Sequence, residues 1–330
     1  MRLELLWLLL RIIRRITENN AVIGIDAAHS TSLRAAIVKE DPHCSFKDPL
    51  HEASWENLQI GEHGYKYRIL DDRVVRPFIG PKRYEMTRRF KTEPTDIWSV
   101  SWPRSGSTWL SYVLVLLTGS DSDKDKLRES FHWLESGWLY QRTEEEVQNA
   151  PRPRIFSSHM PYDMALGGVP EQNPYKYIYI ARNPKDTCVS CFHFDRQKSW
   201  SGYYFGDWDH WLHMFMNGKC HRGDWFDHVL GRWEHRHADN ILFMRYEELK
   251  RDTEAQVCKI AAFLGLDLTP DKLDGIKYKI SFSARKASGF TDLAFPSGSD
   301  WLVEDQFTVA QNEKSDMLYE DRMANSGLSF

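Results

Sequence analysis

One stretch, IWSVSWPRSGSTWLSYVLVLLTG from Ile97 to Gly119, constrains the fold of this chain more than any other. Its opening is rich in β-branched and aromatic residues and reads as a strand over Asp96–Trp102. A loop holding Pro103 and Gly106 follows, and Ser107–Gly119 reads as an apolar helix stopped by glycine. The alternation returns further along. Arg154–Pro161 reads as a strand and turn, Lys176–Asp186 as a strand with a sharp exit, and Thr187–Phe194 as a helix. Asn240–Leu249 then reads as a strand running into a helix at Glu254–Leu266. Strands alternating with helices predict an α/β, P-loop-like three-layer fold, a central and mostly parallel sheet flanked by helices. Ligands of such folds bind at the carboxyl ends of the strands.

Charge narrows the function classes. The chain has 43 Lys and Arg against 47 Asp and Glu, a net charge of −4. No global basic field marks a nucleic-acid binder, so an anionic ligand needs a local positive pocket. The five cysteines, odd in number and scattered, form no disulfide framework and fit a reducing, cytoplasmic setting. Cys188 and Cys191 are formally a C-x-x-C, but without a thioredoxin-like context they read as small packing residues in a helix. The apolar start, MRLELLWLLLRIIRRITENN, is too short and too interrupted to span a bilayer. Residues 1–55 read as an N-terminal extension and 56–330 as the main domain. Within the extension, VIGIDAAHSTSLRAAIV faintly resembles the first phosphate loop of actin-like sugar kinases. It lacks the Gly expected two residues after Asp26, and some 50 residues cannot make that fold.

Three polar clusters fall at predicted strand exits. In the first, SWPRSGSTW, backbone amides at a helix start and the helix dipole favour an anion. Gly106 permits close approach, Ser105, Ser107 and Thr108 add hydroxyls, and Arg104 adds a permanent forked charge. Set against the nucleotide-triphosphate loop G-x-x-x-x-G-K-[ST], the first Gly and the Lys are missing, which argues against a magnesium-dependent kinase. In the second, ARNPKDTCVS, Arg182 at a strand end and Ser190 on the next helix can face one phosphate. In the third, SSHMP, His159 precedes a Pro-restrained turn and can serve as base for a hydroxyl. Taken singly, each cluster also has a purely structural reading. His210, His213, His235 and His237 raise the question of a metal, but no third or fourth ligand stands at zinc spacing, so no metal is expected.

Together, WPRSGSTW, SSHMPY, YIARNPKDTCVSCFHF, LFMRYEEL, FLG and FTVAQNEKSDMLYEDRM, in that order, resemble the cytosolic sulfotransferases. These use 3′-phosphoadenosine-5′-phosphosulfate (PAPS) as donor, and the resemblance covers roughly Asn57 to Phe330. It implies that Arg104, Ser105, Gly106, Ser107 and Thr108 cradle the 5′-phosphosulfate, with Arg104 replacing the family's Lys. It further implies Trp109 stacked on adenine, Arg182 and Ser190 on the 3′-phosphate, and Tyr246, Ser281 and Phe282 around the adenine. His159 would take the acceptor's proton. Sulfuryl transfer, like phosphoryl transfer, needs in-line positioning and charge neutralisation more than covalent help. A sulfuryl group carries fewer negative charges than a terminal phosphoryl, so a loop without the Lys at position 107 suits a donor used without metal.

The chain departs from the family in three places. Ser157 stands where the family has Lys, two residues before the His. The late Arg-Lys-Gly loop that clamps the 3′-phosphate is absent before Asp300-Trp301, with Arg285 and Lys286 as candidate substitutes. In the dimer motif K-x-x-x-T-V-x-x-x-E, Thr308, Val309 and Glu313 match, but Glu304 replaces Lys, setting like charges across a two-fold contact. The expected activity is sulfuryl transfer to a hydroxyl or amine of a small, apolar or aromatic acceptor. The aromatic stretch SWSGYYFGDWDHW (Ser199 to Trp211) is a candidate acceptor wall or core packing. The alternative is a weak or inactive sulfonucleotide-binding protein of the same fold. Neither nucleic acid nor stable membrane insertion is expected, and a homodimer depends on the altered motif.

Overall fold

The computed structural model describes residues 58–119, 131–135, 143–197, 204–281, 303 and 305–330. The expectations for residues 1–55, Phe282, Arg285, Lys286, Asp300-Trp301 and Glu304 lie outside the described residues. Three short strands open the chain: β1 (Gln59–Ile60), β2 (Lys66–Leu70) and β3 (Arg73–Val75), paired antiparallel in the order β1-β2-β3. Helix α1 (Pro81–Arg89) follows, then β4 (Ile97–Ser101) and α2 (Ser107–Thr118). Next come β5 (Phe131–His132), α3 (Glu144–Gln148), β6 (Ile155–Ser158), β7 (Lys176–Ala181) and α4 (Pro184–Gln197). The chain continues through α5 (Trp208–Met216), α6 (Trp225–Trp233), β8 (Ile241–Arg245) and α7 (Tyr246–Arg251). It ends in α8 (Thr253–Phe263), α9 (Pro270–Ile280) and α10 (Val309–Met323).

Strands β5-β6-β4-β7-β8 form one all-parallel sheet with β4 at its centre. Helices cover both faces, as the sequence pattern predicts. Period-two geometry divides the side chains: Tyr177 and Tyr179 of β7 join one core cluster, and Ile178 and Ile180 join the other. The second cluster is built around α2, where ten of the twelve side chains from Ser107 to Thr118 are buried. This helix stops as read from the sequence, at Gly119 in the left-handed region, whose N–H is donated to the Val115 carbonyl.

Two boundaries differ from the sequence reading. Helix α4 starts at Pro184, three residues early, because Pro fits a first helical turn and the Asn183 side-chain oxygen accepts the Lys185 N–H at 2.9 Å. The strand expected over Asn240–Leu249 stops at Arg245, and Tyr246–Leu249 is helical. Glu247 and Glu248 in that first turn complement the helix N-terminus.

Candidate active site

The loop after β4 owes its shape to two residues. Gly106 has φ 107° and Arg104 has φ 70°, so both occupy the left-handed region. For a non-glycine residue that conformation is uncommon and must be held by its surroundings. Here a guanidinium N–H of Arg182 donates to the Arg104 carbonyl at 3.3 Å, and Arg104 Nε donates to Ser190 Oγ at 3.1 Å. The Arg104 guanidinium also lies over the Phe194 ring, 4.6 Å from its centroid. At Gly106 a Cβ would stand 2.9 Å from Tyr246 Cδ2 and 3.2 Å from Ile180 Cδ1, so the glycine is needed for space as well as for φ.

The result is a helix start without a cap. Gly106 is the N-cap of α2 and offers no side chain, which leaves the first-turn amides of Ser107, Thr108 and Trp109 directed out of the helix end. Ser105 Oγ and Arg182 Nε are buried polar atoms with no hydrogen-bond partner among the described residues. Arg182 holds Asp186 at 3.2 Å and stacks over the Tyr246 ring at 4.9 Å. Arg104, Arg182, Ser190 and Tyr246, drawn from four separate elements, therefore converge on one loop. A cluster of arginines in a chain of net charge −4 is the local positive pocket that an anion requires. Burial, reinforced by the neighbouring Arg182 and Arg76 cations, pushes the Arg104 guanidinium down to about 10. It remains cationic at neutral pH and gains from a negative ligand. Orphaned donors, an uncapped helix end and a cradle that a Cβ would fill fit an anionic sulfate or phosphate group.

Other members of the expected donor set are placed less directly. Trp109 is buried in the cluster around α2, so most of its ring is spent on packing. Ser281 caps the C-terminus of α9, whose Ile276 and Ile280 pack in that same cluster. Cys188 and Cys191 are buried on α4, as the packing reading expects. Burial pushes the Cys191 thiol up to about 12, which keeps it protonated.

His159 lies at the exit of β6, beside the exit of β4. Its Nδ1 is 2.7 Å from the Ser101 carbonyl, which can only accept, so Nδ1 carries the proton. Nε2 is then left with a lone pair and, among the described residues, has no hydrogen-bond partner. Burial, with the Arg222 charge as the next cause, holds His159 well below the ordinary histidine range. The imidazole is accordingly neutral and basic at Nε2 in neutral solution.

Four residues that the sequence reading missed hold this histidine. Glu135 accepts the His159 backbone N–H at 2.9 Å, Ser158 Oγ–H at 2.7 Å and an Arg222 N–H at 2.8 Å. The Glu135 and Arg222 side chains are both fully buried, making a closed ion pair beneath the histidine. Trp133 packs edge-on against the imidazole with centroids 4.8 Å apart. His228 Nε2 donates to the His159 carbonyl at 3.1 Å, and its Nδ1 accepts from Tyr179 Oη at 2.8 Å. None of these carries a motif; only β5 lying beside β6 brings Trp133 and Glu135 to the site.

Ser157, the position of the missing lysine, is a core residue. It is 3 % exposed, and its Oγ is 2.7 Å from Ser111 Oγ of α2, which donates in turn to Ser99 Oγ of β4 at 3.3 Å. Three small hydroxyl side chains fill the space between α2 and the sheet. In the stretch proposed as an acceptor wall, Tyr204, Trp208 and Trp211 are buried with Tyr65 and Phe192, so these three belong to the core; residues 199–203 lie outside the described residues. Within α10, Val309 is 77 % exposed and Thr308 is the N-cap, accepting the Gln311 N–H.

A parallel sheet whose central strand feeds an uncapped helix defines a P-loop-like α/β protein with an anion site and an adjacent neutral histidine. A model of the sulfotransferase domain matches residues 94–327. Cytosolic sulfotransferase 1 of Danio rerio is 32 % identical over 269 residues, covering 76 % of this chain and 89 % of that protein. Sulfotransferase 4A1 of Homo sapiens is 32 % identical over 271 residues, covering 82 % and 94 %. The crystal structure of mouse sulfotransferase SULT7A1 complexed with PAP is similar with a TM-score of 0.68 and 30 % identity, covering 79 % of this chain and 95 % of that one. The chain belongs to the cytosolic sulfotransferase family.

Proposed function

We propose that this protein transfers the sulfuryl group of PAPS to a hydroxyl or amine of a small, apolar or aromatic acceptor in the cytoplasm. The observation that carries the reading is the pairing of two devices at neighbouring strand exits: the Arg104–Ser107 loop and the neutral His159. The donor, when bound, supplies a sulfuryl group already attached to a good leaving group. The amides of Ser107, Thr108 and Trp109, with Arg104 and the hydroxyls of Ser105, Ser107 and Thr108, hold the 5′-phosphosulfate. Arg104 neutralises the charge that develops on the leaving oxygen, the role taken by Lys elsewhere in the family. Arg182 and Ser190 hold the 3′-phosphate, Tyr246 and Trp109 hold the adenine, and Ser281 and Phe282 complete that pocket. His159 Nε2 takes the acceptor proton while its Nδ1–H stays anchored on the Ser101 carbonyl. Metal has no part in this reading.

The space taken by Ser157, Ser111 and Ser99 supports a second reading, a sulfonucleotide-binding protein with little or no turnover. Losing a charged donor at a transition state costs about 10²–10³ in rate where it is fully engaged. Calorimetry with PAP and a transfer assay with labelled PAPS over a panel of phenols, alcohols and amines distinguish the readings. Tight PAP binding with transfer that His159→Ala abolishes, at unchanged PAP affinity, is the expected result. Tight binding without transfer to any acceptor establishes the second reading. No heat with millimolar PAP rejects both. Glu304 in the dimer motif favours a monomer or an altered dimer, which light scattering reports.

A further inference from the structure

The fold brings together three side chains of metal-ligating type that no spacing in the sequence suggests. Glu62 and His63 lie on the tight turn between β1 and β2, and His210 lies in the first turn of α5. One ligand atom from each lies within 4.8 Å of the others. The His63 and His210 rings meet edge to face with centroids 4.5 Å apart, and His210 Nε2 is 3.1 Å from Glu62 Oε2. We propose that Glu62, His63 and His210 form a Zn²⁺ site that ties the N-terminal hairpin to helix α5.

Three features around the cluster have the form of a built site. First, His210 Nδ1 is 2.7 Å from Tyr204 Oη, which in turn donates to the Asp207 carbonyl at 3.3 Å. That relay lets Nδ1–H donate to Tyr204 and leaves Nε2 with its lone pair toward Glu62. In this tautomer a metal between Nε2 and the carboxylate takes the place of the proton that the other tautomer would share with Glu62 at 3.1 Å. An outer hydrogen bond that fixes the tautomer of a ligating histidine is the usual companion of such sites. Second, Gly206 makes room for the relay, since a Cβ there would stand 2.2 Å from Tyr204 Oη. Third, His63 is held at φ 52°, a left-handed conformation, and its carbonyl accepts the Phe205 N–H at 2.9 Å, so both sides of the site are pinned by one backbone contact. Two imidazoles and one carboxylate suit Zn²⁺ with water in the fourth position. Tetrahedral ligands at zinc distances are about 3.3 Å apart, so closure needs only rotation of Glu62 and His63. Both are exposed and able to turn.

The test uses the full-length chain without an affinity tag, stripped with chelator and titrated with Zn²⁺ alone against a chromophoric competitor, with bound metal counted by mass spectrometry. The expected result is a Zn²⁺ site that raises the melting temperature and that His63→Ala, Glu62→Gln or His210→Ala each weaken more than tenfold. Tyr204→Phe should weaken it by about 10- to 100-fold through the lost relay. His213→Ala, an exposed histidine on the same helix, should leave it unchanged. Absence of bound Zn²⁺ at micromolar concentration overturns the proposal. So does zinc binding indifferent to His63→Ala and Glu62→Gln, two changes at exposed positions that test the site even where His210→Ala impairs folding.

Discussion

Replacing Glu135 with Gln isolates the ion pair that holds the histidine. The carboxylate accepts three hydrogen bonds, and the Arg222 charge beside it is fully buried. Gln keeps the shape and one acceptor but loses the charge, leaving the Arg222 guanidinium without its counter-ion. Removing one partner of a buried pair costs about 3–5 kcal/mol, whereas replacing both with neutral groups is often close to neutral. Glu135→Gln is therefore expected to lose about 3–5 kcal/mol, a large share of the roughly 5–15 kcal/mol that holds a typical protein folded. Adding Arg222→Met should recover most of that loss, because the stranded charge is gone. Urea denaturation at pH 7.5 measures both, read as a shifted midpoint at constant slope. Transfer rate supplies a second axis: Glu135→Gln also strengthens the Arg222 field on His159, weakening the base, and the double variant relieves it. Stability losses that add to within about 0.5 kcal/mol across the cycle would show that the two side chains act independently and that the reasoning is wrong.

Three further outcomes are expected. Gly106→Ala, forced into a φ of 107° with its Cβ 2.9 Å from the Tyr246 ring, should lose at least about 1 kcal/mol of stability and weaken PAP binding; wild-type urea midpoint and calorimetry would refute it. Arg182→Ala removes a charge-assisted contact worth about 1.5–3 kcal/mol, so PAP affinity should fall about 10- to 100-fold, and unchanged affinity would place the 3′-phosphate elsewhere. Burial lowers His159 well below its ordinary range and His228 to about 3, so both stay neutral when folded and gain protons on unfolding below their ordinary range near 6.5. Stability should accordingly fall as pH drops from about 6.5 toward 5, by up to about 1.4 kcal/mol per pH unit for each histidine, and a flat series of urea midpoints would contradict this.

What the sequence discloses and what it conceals separate along physical lines. The β7 strand was legible because Tyr-Ile-Tyr-Ile must send alternate side chains into two cores, and the anion loop because a glycine between a strand and an apolar helix has few other uses. The boundary at Tyr246 was not, because an aromatic residue suits the end of a strand and the start of a helix equally well. Glu135, Trp133, Arg222 and His228 were not legible either. Trp133 and Glu135 follow one short strand and Arg222 and His228 come from a distant stretch, and only the order of the parallel strands and the placing of α6 bring them to His159. Glu62, His63 and His210 were hidden for the same reason.

Ser157 is the instructive intermediate case. A single position reveals that a charge is missing, yet its consequence depends on two residues far away in the sequence. Ser99 and Ser111 bond in series to Ser157, so the space a lysine stem would cross is filled by a hydrogen-bonded chain that is itself buried. A Ser157→Lys change would have to break that chain, cost Ser111 its 2.7 Å partner and push a long side chain against α2. Overpacking of this kind costs about 1–3 kcal/mol before any desolvation of the amine. The missing lysine is thus built into the packing of α2 on the sheet. Within the proposed reaction, the burden of neutralising the leaving oxygen falls on Arg104, held in place by Ser190, Phe194 and the strained turn that carries it.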